Sequence, residues 1–152
     1  VPPSIRPIRP EDKEAFLTLW DGYCAFYETV VPRPVTEGLW TRLVDPADEA
    51  LRALGVAGEG DALLGFATLV THPGTWSPRP IGYLEDLFVD PEARGLGLGR
   101  LLIEGCMALG RDEGWAKLYW RTKPDNRRAQ VLYEKLAKRL DWIQFEVPLH
   151  DG

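Results

Sequence analysis

A chain of 152 residues, 45% hydrophobic and 27% charged, has the size and balance of one globular domain. Six tryptophans, five tyrosines and five phenylalanines exclude a disordered polymer. No apolar run approaches the roughly 18 residues of a membrane span, and a net charge of −5 argues against a general phosphate-backbone binder, so neither membrane nor nucleic-acid partners are expected. Two cysteines, Cys24 and Cys106, form no CxxC and no cluster with His72 or His150. Reduced thiols, a cytoplasmic location and no metal site are expected. The start Val1-Pro2-Pro3 shows no basic-then-apolar leader.

In chain order, Ser4–Arg9 reads as a short strand that Pro7 confines to an edge. Pro10-Glu11-Asp12 opens a helix, with proline in its first turn and acids facing its positive end. Phe16, Leu19, Trp20, Tyr23 and Tyr27 follow at spacings of three and four, one helical face. Pro32 and Pro34 break this helix, and Thr36 can cap a second one carrying Leu39, Trp40 and Leu43. Leu51–Val56 and Ala62–Val70 flank Gly58-Glu59-Gly60-Asp61 as a hairpin, and Ile81–Val89 reads as a central strand. Leu98, Leu101, Leu102, Cys106 and Leu109 line a helix that closes near Gly110 or Gly114. Trp115–Thr122 is a strand, Arg127–Lys138 a helix and Trp142–Leu149 a last strand. The order β-α-α-β-β-β-α-β-α-β predicts a single mixed α/β domain over residues 1–152, with its βαβ unit in the second half.

The most informative segment runs from Tyr83 to Arg100, a hydrophobic strand entering a loop with glycines at 95, 97 and 99 just before a helix. Glycine lets backbone approach a ligand and take positive φ, and a helix start presents unpaired N–H groups, so the segment suits a phosphate or pyrophosphate. A Walker A loop is absent, because no lysine here is followed by Ser or Thr. The dinucleotide fingerprint also fails: counted from Gly95 the sixth position is Arg100, and from Gly97 it is Leu102.

What fits is Arg94-x-x-Gly97-x-Gly99. With it the chain resembles the GNAT superfamily of acetyl-CoA-dependent N-acetyltransferases, whose signature Arg/Gln-x-x-Gly-x-Gly/Ala joins a central strand to a helix. The stretch Tyr83-Leu-Glu-Asp-Leu-Phe-Val-Asp-Pro-Glu-Ala-Arg-Gly95 is similar to the diamine (spermidine/spermine-type) members and to small relatives of the yeast histone and polyamine acetyltransferases. Asn126, followed by Leu132-Tyr133-Glu134-Lys135-Leu136, matches the second hallmark. The resemblance implies the α/β GNAT fold, a mixed central sheet of about six or seven strands flanked by about four helices.

It also implies roles. Main-chain groups of Leu87, Phe88 and Val89 would pair with the pantetheine arm of acetyl-CoA, and the backbone of Gly95, Leu96, Gly97, Leu98, Gly99 and Arg100 would hold its pyrophosphate. Arg94 and Arg100 would add charge there, and Asn126 would lie beside the pantetheine or cap its helix. Acetyl transfer needs a neutral amine, yet alkyl amines have a pKa near ~10, so a base must take a proton. Strand alternation sends Glu85 and Asp86 to opposite faces, one toward the amine and one structural. The resemblance favours Glu85 as base or ammonium anchor, with Asp86 as the alternative acid at the substrate. It makes Tyr133 the proton donor to the departing thiolate, and a backbone N–H near Leu87 the oxyanion donor. Tyr27-Glu28 matches a substrate-contacting pair in the diamine enzymes, where an aromatic–cation contact is expected; such an aromatic stripe is also ordinary core. A small polyamine-like amine is the expected acceptor and a homodimer an expected assembly. A protein lysine or N-terminal acetyltransferase, and an acyl-CoA-binding module without catalysis, are the alternatives.

Overall fold

The computed structural model describes residues 2–151 and divides into two units, the first ending at Arg121 and the second beginning at Thr122. In the first unit β1 (Ser4–Pro7) leads through a 3-10 turn at Pro10–Asp12 into α1 (Lys13–Phe26) and α2 (Arg33–Leu43). Then come β2 (Leu51–Ala57), β3 (Leu63–His72), β4 (Ile81–Val89), α3 (Leu98–Glu113) and β5 (Lys117–Tyr119). The strands form one sheet in the order β1-β2-β3-β4-β5, antiparallel except for the parallel β4–β5 pair. That parallel pair needs a crossover, and α3 supplies it.

Of the apolar stripe read along α1, Phe16, Leu19 and Trp20 are buried, with Cys24 beside them, while Tyr23 is part-buried and Tyr27, just past the helix end, is exposed. The Phe16 ring lies 5.2 Å from Trp40 of α2 and 5.0 Å from Phe66 of β3, and burying each such side chain stabilises the fold by about 1.5–3 kcal/mol. Arg6 of β1 clamps the start of α1: its guanidinium meets Asp12 at 2.8 Å, both side chains only 10% exposed. The paired guanidinium holds the Asp12 carboxyl below its usual range, helped by the Arg9 N–H. The helix carrying Thr36 starts earlier than the proposed cap, at Arg33. Pro34 occupies its first turn, where a missing N–H costs nothing, and Thr36 is buried inside it.

Leu98, Leu102, Ile103 and Cys106 of α3 are buried, outside the cluster built around Phe16, and α3 packs on β2, β3 and β4. Two glycines make room for Trp115: a Cβ on Gly110 would lie 2.7 Å from its ring, and one on Gly82 would enter the ring.

In the second unit, α4 (Arg127–Leu136) begins at Asn126, whose side-chain oxygen accepts from the Ala129 N–H at 3.4 Å. Trp142–Leu149, predicted as a strand, joins no ladder; Trp142 is 81% and Phe145 90% exposed. The sheet among the described residues therefore has five strands instead of six or seven, and β5 is shorter than the predicted Trp115–Thr122. Alternation in the tail supplies an apolar face but no partner for it, and Pro148 has no N–H for a ladder. Among the described residues no helix is long and apolar enough to cross a membrane.

Candidate active site

The site grows from an irregularity in β4. Thr68 of β3 pairs with Asp86 while the next residue, Leu69, pairs with Leu84, so Glu85 is left without a cross-strand partner. Such a bulge re-aims side chains, and it cancels the alternation expected for the two acids. Asp86 faces α1 and its carboxylate is engaged on both oxygens: Tyr23 Oη donates to Oδ1 at 2.6 Å, and Thr68 Oγ1 to Oδ2 at 2.5 Å. The Asp86 N–H returns a bond to Thr68 Oγ1 at 3.1 Å. Burial, then Asp86, raises the Tyr23 hydroxyl well above its usual range, so it stays a donor.

Glu85, the residue set out by the bulge, is exposed. Its charge acts on Tyr23 of α1 and on Tyr119 of β5, and its own carboxyl is pushed up. Partial withdrawal from water is the larger cause, the Asp86 charge the second, and Arg121 opposes both. A carboxylate raised in this way holds a proton more readily than an ordinary surface glutamate, which suits proton uptake from an amine.

β5 follows β4 only from Ile81↔Lys117 to Tyr83↔Tyr119. Beyond Tyr83, β5 no longer occupies that edge of β4, where Leu87, Phe88 and Val89 stand. At the last paired position the Tyr83 and Tyr119 rings stack, centroids 4.7 Å apart, and His72 Nε2 lies 3.1 Å from the Tyr119 hydroxyl. Thr68, Tyr119, His72 and Arg121 were given no role in the site by the sequence, although Thr68, Tyr119 and Arg121 sit on strands it predicts.

After β4 comes the glycine loop. Gly95 and Gly97 take φ of 84° and 74°, the left-handed region closed to most side chains. A Cβ on Gly95, Gly97 or Gly99 would meet no atom within 4 Å, so the backbone here borders open space at the first turn of α3. Exposed N–H groups and room beside them fit a diphosphate. Leu96 is exposed and Leu98 buried as the first residue of α3. Arg94 turns back to β4, its Nε donating to the Val89 carbonyl at 3.3 Å and its guanidinium over the Phe88 ring at 5.3 Å. Arg100 points along α3 to Glu104 at 3.7 Å.

At the end of α1, Tyr27 is half-exposed with its ring edge-on to Tyr23 at 5.0 Å, and Glu28 takes a left-handed φ of 52°. Asn126 and Tyr133 belong to the second unit, at the cap and in the last turns of α4. Among the described residues no group of His, Cys, Asp and Glu could hold a metal ion.

The model of the "Acetyltransferase (GNAT) family" matches residues 15–137, and the chain belongs to that family. It is 34% identical over 142 residues to a D-amino-acid N-acetyltransferase of Saccharomyces cerevisiae, covering 93% of this chain and 88% of that protein. A thialysine N-epsilon-acetyltransferase of Bos taurus is 35% identical over 79 residues, 52% of this chain and 46% of its own length. Among solved structures, a probable acetyltransferase superposes with a TM-score of 0.86 at 24% identity, covering 98% of this chain and 99% of that one. The chain is an N-acetyltransferase with acetyl-CoA as its co-substrate.

Proposed function

We propose that the acceptor is a small molecule bearing a primary amine, attacked without any covalent enzyme intermediate. The amine nitrogen attacks the thioester carbonyl carbon, the C–S bond breaks, and the acetyl group stays on nitrogen. The amine proton passes to Glu85, and the departing thiolate takes a proton to become the free thiol of coenzyme A. Tyr133 is the donor assigned by the resemblance, and the Leu87 N–H is the group offered to the oxyanion. Leu87, Phe88 and Val89 would pair with the pantetheine, with Asn126 beside it, and residues 95–100 would hold the pyrophosphate.

The observation that carries this reading is Glu85 itself: an unpaired bulge residue with a raised carboxyl, at the point where β5 stops covering β4. Names of relatives that act on amino acids and an amino-acid analogue favour a small acceptor over a protein. Tyr27 and Glu28, at the end of α1, are the proposed contacts for the acceptor's far end. The family match crosses both units, which supports one catalytic domain over residues 1–152. Two buried, unbridged cysteines suit a cytoplasmic setting.

Release of coenzyme A from acetyl-CoA with a panel of amines tests the reading, using wild type, Glu85→Gln and Tyr133→Phe. Small amines should support turnover, and both variants should lose most of it while still binding acetyl-CoA. Tight acetyl-CoA binding without release from any amine would reduce the chain to an acyl-CoA-binding module. Release with lysine-bearing or free N-terminal peptides alone would make it a protein acetyltransferase.

A further inference from the structure

Beyond Glu85, the face of β4 and β5 carries a set of side chains that acetyl transfer alone does not require. The register Ile81↔Lys117, Gly82↔Leu118, Tyr83↔Tyr119 ends just before the strands part. Arg121 and Glu85 each stand two residues beyond the last paired position, Tyr83↔Tyr119. The electrostatics agree, since the Arg121 charge lowers both the Glu85 carboxyl and the Tyr119 phenol. Arg121 is exposed, and its charge reaches Glu85 and Tyr119 without a hydrogen bond to either. Its neighbour in the row is the Tyr83–Tyr119 stack, with Tyr119 40% exposed and its hydroxyl anchored by His72.

A cation beside the proposed base is an obstacle if the acceptor is a polycation, because it repels a second ammonium. It is an asset if the acceptor carries an anion next to its amine. A guanidinium matches a carboxylate in shape and charge, and a half-open aromatic stack matches a flat or apolar group. We propose that the acceptor is an α-amino acid with an aromatic or large apolar side chain. Arg121 takes its carboxylate, the Tyr83–Tyr119 stack takes its side chain, and Glu85 is left to the amine. The assignment rests on the acetyl-transfer reading above and adds to it the groups that choose the substrate.

Phenylalanine, as both enantiomers, and phenethylamine form the test pair, since they differ only by the carboxylate. Wild type should favour one phenylalanine enantiomer over phenethylamine by about tenfold or more in kcat/KM. Read at a pH where turnover no longer rises with pH, Arg121→Gln, at an exposed position, should lose about 10- to 100-fold on phenylalanine, mainly through KM, and change phenethylamine by no more than about twofold. Tyr119→Ala should instead weaken both aromatic probes and spare alanine as acceptor. Equal losses on both probes with Arg121→Gln, or none on either, would overturn the carboxylate assignment. Turnover of aliphatic diamines without turnover of either phenylalanine enantiomer would overturn the substrate class while leaving acetyl transfer standing. No turnover with any amine would sink both.

Discussion

The two halves of β4 have different employment. From Ile81 to Tyr83 the strand is held on both edges, by β3 and by β5, and Gly82 lies against the Trp115 ring. From Leu87 to Val89, among the described residues, only β3 holds it in the sheet. Between them sits the bulge at Glu85, where Thr68 and Tyr23 fasten Asp86. The same nine-residue strand is scaffold at one end and, at the other, an edge that β5 has left, the edge proposed for the pantetheine, and the group proposed for proton transfer stands at the joint. Two adjacent acids therefore part in role through their hydrogen bonds: Asp86 has both oxygens engaged, while Glu85 keeps an adjustable charge.

The sharpest way to break this division is Glu85→Gln, for which kcat should fall about 10²- to 10⁴-fold with an unchanged melting temperature. Retained turnover would move the base elsewhere and leave the bulge a packing feature. Next comes the scaffold half. Gly82→Ala drives a methyl into Trp115 and should cost about 1–3 kcal/mol or more of stability by overpacking, read as a lower denaturant midpoint. Acetyl-CoA affinity of the folded fraction should stay near wild type; a matching loss of affinity would mean the two halves are not separable.

Thr68→Val keeps the shape and removes one donor from Asp86. A destabilisation of about 1–2 kcal/mol is expected, and an unaltered midpoint would show that Asp86 is held by Tyr23 alone. The smallest effect is a displaced pH limb in kcat, where ionisation of the free amine drops out. The base must be ionised, and its carboxyl is raised in the folded protein, so turnover is lost as pH falls through that raised value. Asp86→Asn removes one of the causes and should move the limb to lower pH. Arg121→Gln removes the opposing charge and should move it to higher pH. A limb that ignores both substitutions would not belong to Glu85.

Much of this was legible from sequence because it is local. Glycines at 95, 97 and 99 behind an apolar strand announce the loop, and the stripe Phe16, Leu19, Trp20 announces α1, since each signal lies within one element. The bulge was not legible. It depends on which residue of β3 faces which residue of β4, and Thr68 lies 18 positions before Asp86, so alternation gave the two acids opposite faces. Tyr119 was missed for the same reason: only the parallel register with β4 makes it a neighbour of Tyr83, and Arg121 comes two residues after it. Trp142–Leu149 failed in the other direction. Its alternating apolar pattern describes a face fit for burial, and pattern alone does not supply the neighbouring strand.

The chain's two cysteines have a practical bearing on all of these measurements. Cys24 and Cys106 are both buried, and burial lifts both thiols, Cys106 to about 12. Only a thiolate attacks a chromogenic disulfide readily, so the folded protein should be close to colourless in such a reaction at neutral pH. Every equivalent of coenzyme A set free, by contrast, brings a solvent-borne thiol. The protein thus carries its own blank: with substrates present the colour counts turnovers, and with substrates left out the same reagent counts molecules that have come unfolded.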